Sequence, residues 1–229
     1  MLSCCLILLI AMVMPVRAQA QTVPVSPGPI WHDDLRQAES GQADSTIDPA
    51  LLEEYRLARL DYEAGLIGSA TQRLEYVIGR DQTFARAFDN LGLCYEAQNE
   101  PKKALQFYRE AVRLNRYAPK PSPWPPFNLG VLLHHGGSLI EAESLLKESI
   151  DYRLRTSRSD APMPWHADMS RGYYQLGILL EHRRRFGEAY EALTLATRED
   201  PSYSEPQEEL ARIARVTRMS AKLADAMRR

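Results

Sequence analysis

Four leucines stand directly before a small residue, as Leu57-Ala58, Leu91-Gly92, Leu129-Gly130 and Leu176-Gly177, and an alanine lies twelve residues beyond each small residue, at Ala70, Ala104, Ala142 and Ala189. The first two sets are 34 residues apart, the second and third 38, the third and fourth 47. Two linked marks that recur together demand a local unit that is built repeatedly and stacked on itself. Within the clearest unit, Phe88, Leu91 and Tyr95 fall three and four residues apart and share one face of a helix. Ala104, Tyr108 and Ala111 do the same on a second helix. A glycine in mid-helix costs roughly 1 kcal/mol against alanine. Gly92 and Ala104 therefore predict a close crossing at which neither helix carries a bulky side chain.

The departures from 34 are insertions. Four residues enter before the third unit, in the Pro-rich run 118–123, and Pro125 and Pro126 after it fit only the opening turn of a helix. Thirteen enter before the fourth unit, around residues 153–165. Asp48 is placed to cap the first helix, with Pro49 at its first position. Ser138-Leu139-Ile140-Glu141 predicts a capping box at the second helix of the third unit. Ser204-Glu205-Pro206 opens a last amphipathic helix in which Ala211 lies 34 beyond Gly177. It begins in register as a further first helix and lacks a second, as a capping helix should.

These residues together resemble the tetratricopeptide repeat (TPR), and Asp200-Pro201 closes the fourth unit as that pattern asks. The first unit is the weakest match: Asp61 stands where the second unit has Tyr95, and Gln82 replaces the usual closing proline, as Arg116 does in the second. The resemblance spans residues 51–203. It implies an all-α TPR solenoid of four antiparallel helix hairpins (51–83, 84–117, 124–156 and 165–203) plus a C-terminal capping helix at 204–229. The resemblance also implies that the first helices line an inner groove. Carried over by register, that groove holds Leu52, Tyr55, Arg59 and Tyr62; Arg86, Asp89, Leu93 and Glu96; Trp124, Phe127, Val131 and His134; and Arg171, Tyr174, Ile178 and Glu181. Five of these sixteen are aromatic, against 8% for the whole chain. A peptide-binding groove is expected on Tyr55, Arg59, Tyr62, Arg86, Asp89, Trp124, Phe127, Arg171 and Tyr174, the arginines holding an acidic group or a chain-end carboxylate. Packing against the next repeat is the competing reading of the aromatic residues. The carboxylate clamp with which some relatives hold chaperone tails is incomplete: Asn90 matches it, but Tyr55, Arg59, Trp124 and Asn128 do not supply its other positions.

Residues 1–20 differ in kind from the rest. An apolar run from 6 to 14, then Pro15 and Ala18-Gln19-Ala20, has the form of a secretory signal peptide, although no Lys or Arg precedes the run. Cleavage after Ala20 would leave Cys94 as the one cysteine, a small core residue with no disulfide partner; an uncleaved anchor is the alternative. Residues 21–47, rich in Pro, Gly and small polar residues, read as a disordered tether with at most a helical turn near 33–39. The location implied is exported, periplasmic or secreted, with no stable membrane anchor after cleavage.

Nearly balanced charge, 28 Lys and Arg against 30 Asp and Glu, argues against a nucleic-acid partner. No catalytic residue, metal site or cofactor is expected. Ser144 and Lys147 form a Ser-x-x-Lys inside a repeat helix without the companion motifs of penicillin-recognising enzymes. His134, His135 and His182 lack ligand partners at metal spacing and fall at helix ends. His182-Arg183-Arg184-Arg185 reads as a solvated basic turn. The function expected is a non-enzymatic protein–protein interaction scaffold of the bacterial cell envelope, binding a peptide segment or partner helix. The alternatives are an accessory subunit of an envelope enzyme complex and a structural protein that self-associates.

Overall fold

The computed structural model describes residues 47–119, 121–156 and 166–227, the side chains of 153, 156, 166–168 and 219–227 excepted. The signal peptide and almost all of the tether lie outside the described residues, as does most of the second insertion. Among the described residues there are nine helices and no strand. They pair as α1 (Pro49–Glu63) with α2 (Ile67–Arg80), α3 (Ala85–Ala97) with α4 (Pro101–Asn115), α5 (Trp124–His135) with α6 (Leu139–Thr156) and α7 (His166–His182) with α8 (Phe186–Glu199). A ninth, α9 (Ser204–Met227), packs on α8. The expected start holds in detail: Asp48 Oδ1 accepts from the Ala50 amide at 2.9 Å and Pro49 opens α1.

In the second, third and fourth hairpins the glycine has a more specific partner than the sequence suggested. A Cβ on Gly92 would lie 2.5 Å from Cδ1 of Tyr108, on Gly177 2.7 Å from Cγ of Leu193, and on Gly130 3.1 Å from Cγ of Leu146. The second helix does carry a bulky side chain at the crossing. The glycine is the seat that receives it, and Tyr108, Leu146 and Leu193 occupy one register position. Leu74, at the corresponding position of α2, is fully buried. These seats belong to one apolar core that runs from Tyr55 to Ile213 of α9.

All four first helices end alike. Gly65, Asn99, Gly137 and Arg184 have positive φ, and the next residue's amide reaches back five residues: Leu66 to Asp61, Glu100 to Tyr95, Ser138 to Leu133 and Arg185 to Leu180. This left-handed close satisfies carbonyls the helix would leave open. It also displaces the capping box expected at Ser138 and Glu141. The Ser138 amide is already donated to Leu133 at 2.9 Å, and Glu141 instead faces Arg109 of α4 at 3.4 Å.

The turns out of the second helices are held by short polar side chains. Asp81 accepts from the amide and hydroxyl of Thr83, and Asp200 from those of Ser202. At the equivalent place, buried Asn115 donates to the Ser122 carbonyl at 2.8 Å and accepts from its amide at 2.7 Å, closing the Pro-rich insertion into a loop. The departures from the closing proline thus sit beside a side-chain clasp that bends the chain in another way.

Candidate functional site

The first helices, α1, α3, α5 and α7, meet one another through the side chains expected to line the groove. Asn90 donates to the Tyr55 hydroxyl at 2.6 Å, and Asn128, at the same register position one repeat on, donates to Asp89 Oδ2 at 2.9 Å. His134 Nε2 and His182 Nδ1 are 2.8 Å apart and share one proton. Arg212 of α9 pairs with Glu181 of α7. One line of polar links therefore joins successive first helices. Position by position, the asparagine that a chaperone clamp would turn to its ligand is used internally.

Of the nine residues expected in the groove, the structure buries three. Tyr55 is 4% exposed and lies 5.0 Å from the ring of Phe84, Asp89 is 4% exposed, and Trp124 is 7% exposed with its ring edge-on to Phe127 at 5.6 Å. Tyr55 thus packs between repeats, the competing reading for aromatic residues at these positions, and Trp124 is buried beside Phe127 of its own helix. Leu93 and His134, from the wider set of sixteen, are buried as well. The other six, Arg59, Tyr62, Arg86, Phe127, Arg171 and Tyr174, keep part of their surface open. Arg59 lies 3.7 Å from Glu63, and Arg171 is close enough to Asp200 to help hold its carboxyl low, behind Ser202. Tyr174 meets Tyr203 edge-on at 5.4 Å.

Electrostatically this surface is more acidic than its arginines suggest. Burial pushes the Asp89 carboxyl up to about 8, opposed by the Asn128 bond and helped by Glu96. Tyr62 is pushed to about 12 by burial and then by Cys94 and Glu96, while Tyr108, which donates to Glu96 Oε2 at 2.8 Å, is raised well above the usual phenol range by burial and then by Glu96 and Asp89. Tyr174 is raised by burial and by the carboxylates Glu209, Glu205 and Glu208 on α9. Burial also lifts the Cys94 thiol to about 12, so it stays protonated and carries no nucleophile. His134 is lowered to about 4 by burial, then by His182 and His135.

The basic turn after α7 is not merely solvated. Glu143 of α6 is buried and takes Arg185 at 2.8 Å, Lys147 at 2.6 Å and Arg183 in close contact, joining the third hairpin to the fourth. Burial alone would raise its carboxyl, but Lys147 and Arg185 hold it below the usual range. The importance of Asn90, Asn128 and Glu143 escaped the sequence reading. For the first two the signal was present, since both lie one residue after a groove position in the shared register.

Among the described residues, no three His, Cys, Asp or Glu side chains gather as a metal would require, and no helix is long and apolar enough to cross a membrane. The tetratricopeptide repeat profile matches residues 85–118, the hairpin of α3 and α4. Similar solved structures include PilF of Pseudomonas aeruginosa, at 20% identity over 74% of this chain and 70% of that one with a TM-score of 0.62. MamA of Desulfovibrio magneticus RS-1 follows at 13% identity, covering 79% and 92% with a TM-score of 0.60. YrrB, described as a TPR protein with an unusual peptide-binding site, is 14% identical over 82% and 86% with a TM-score of 0.56. No curated protein matches the chain in sequence. One hairpin matched by sequence, the same hairpin built four times in register, and a fold shared with these proteins give this chain the all-α tetratricopeptide-repeat solenoid fold.

Proposed function

We propose that this protein is a non-enzymatic scaffold of the bacterial cell envelope that binds an extended peptide segment or a partner helix along its first helices. A solenoid of TPR hairpins supports a protein–protein interaction role in general. The observation that carries the finer reading is the half-open row Tyr62, Arg86, Phe127, Arg171 and Tyr174, presented by four consecutive first helices that the polar links hold in one register. Aromatic and arginine side chains supply most of the affinity where proteins meet, and here a rigid frame presents them. That YrrB is described as having a peptide-binding site is a property of that protein, and it makes the same surface the first to test here. Export rests on residues 1–20, whose apolar run and small-residue close have the form of a cleaved signal.

Affinity capture from envelope extracts tests the reading. The bait is the exported chain, compared with a Phe127→Ala/Tyr174→Ala variant whose melting temperature stays near that of the wild type. Specific partners that the variant loses are the expected result. Partner sets that do not differ count against the groove, and recovery of the chain itself alone would point to self-assembly. Amino-terminal sequencing of the exported protein checks the location: a chain that starts at Gln21 is expected, and one that still starts at Met1 refutes cleavage.

A further inference from the structure

One carboxylate oxygen in the middle of the inner row is left without a donor. Asp89 is almost wholly buried; its Oδ2 accepts from Asn128, and its Oδ1 has no hydrogen-bond partner. An unpaired carboxylate oxygen in the interior is expensive, and native folds rarely retain one without a use. The ionisable group that acts on Asp89 is another acid, Glu96, seven residues and about two helical turns further along α3 and half-buried at the edge of the row. The Tyr108 hydroxyl nearby is already donated to Glu96, and Tyr62, also close to Glu96, is itself an acid. Two carboxylates and two phenols therefore converge here, and no cation is among the groups that shift Asp89.

We propose that the inner row on α3, with Asp89 as its floor and Glu96 at its edge, receives a guanidinium or ammonium side chain from the segment bound along the first helices. This rests on the groove reading above and reverses the charge expected of the segment from Arg59, Arg86 and Arg171. Lys and Arg carry their charge on a long apolar stem, which lets the charge reach a buried carboxylate while the peptide backbone stays outside. When the site is empty, burial keeps a proton on Asp89; an arriving cation takes that proton's place and supplies the donor that Oδ1 lacks. The carboxylates of α9 that press on Tyr174 extend the same sign to the far end of the row.

The test uses the full exported chain and a phage-displayed library of random linear peptides. Wild-type protein is expected to select peptides with Lys or Arg at one fixed position. Replacing that residue by alanine, or using Glu96→Gln or Asp89→Asn protein, should weaken binding about tenfold or more, and the alanine peptide should no longer distinguish Glu96→Gln from wild type. Glu96 is half-buried at the edge of the row, so its variant remains informative if Asp89→Asn folds poorly. Selected peptides with no basic position, or basic peptides that bind both variants as well as wild type, overturn the proposal and leave the groove standing. Failure to select any peptide, or selected binding indifferent to Phe127→Ala/Tyr174→Ala, overturns the groove and this proposal with it.

Discussion

At the scale of single residues, three glycines separate cases that look alike in sequence. A methyl on Gly92 would run into the ring of buried Tyr108 at 2.5 Å, and one on Gly177 into Leu193 at 2.7 Å. Neither neighbour can retreat through a packed core, so Gly92→Ala and Gly177→Ala should each destabilise by about 1–3 kcal/mol. Gly130→Ala meets Leu146 at 3.1 Å, a contact that a few tenths of an ångström relieves. Its strain is offset by the roughly 1 kcal/mol of helix propensity that alanine returns. Thermal unfolding of the three variants should show two clear losses and one near-neutral change; equal losses would refute the seat geometry. His134 gives the pH counterpart. Its ring is held neutral down to about 4, whereas in the unfolded chain it titrates near 6.5. Between those values the unfolded state binds the extra proton, so this contribution is complete above pH 6.5 and is lost as pH falls toward 4. His134→Gln should flatten the decline in melting temperature between pH 7 and pH 5.

At the scale of the element, the helix ends show how one geometry is reached by different residues. Gly65, Asn99, Gly137 and Arg184 take the same left-handed close, yet only glycine does so without a Cβ penalty and asparagine is the usual second choice. Arginine at this place is strained, and its neighbours explain why it persists. Arg183 and Arg185 on either side are pinned to buried Glu143, which fixes the turn regardless of the residue between them. Arg184→Gly should therefore raise stability by about 1 kcal/mol, while Asn99→Gly should change it by less; a fall in melting temperature for Arg184→Gly would show that its side chain holds something the geometry does not reveal. The bond pattern also explains why the capping box failed: the close of α5 uses the Ser138 amide before Glu141 can reach it.

At the scale of the whole molecule, each hairpin has an apolar stripe that only the next one covers, and α9 does this for the fourth. Ile213 and Pro206 are buried, and Arg212 reaches back to Glu181. Deleting residues 204–229 should lower the melting temperature and remove hydrogen-exchange protection from α7 and α8 first, with α3 and α4 protected longest, as nearest-neighbour stacking requires. Loss of protection throughout at one rate would mean that the hairpins unfold as a single unit.

The architecture was legible because it depends on spacing. Leu-Gly pairs, the alanines twelve residues on, and insertions of four and thirteen keep their meaning wherever the chain lies, since each marks a contact within its own hairpin or with the adjacent one. The groove was legible only as a row of positions. Register places Tyr55, Asp89 and Trp124 in the inner row, but their depth depends on how closely two helices approach, and that is settled by side chains 35 or 39 residues away, Asn90 for Tyr55 and Asn128 for Asp89. The pairing of His134 with His182 and the three cations gathered on Glu143 likewise join residues of neighbouring repeats that no local pattern connects. The sequence by itself therefore determined the count, order and stacking of the hairpins, because local periodicity encodes them. Only the tertiary structure decided which inner residues stay open and which carboxylate is left unpaired, because burial and charge compensation are sums over neighbours brought together by folding.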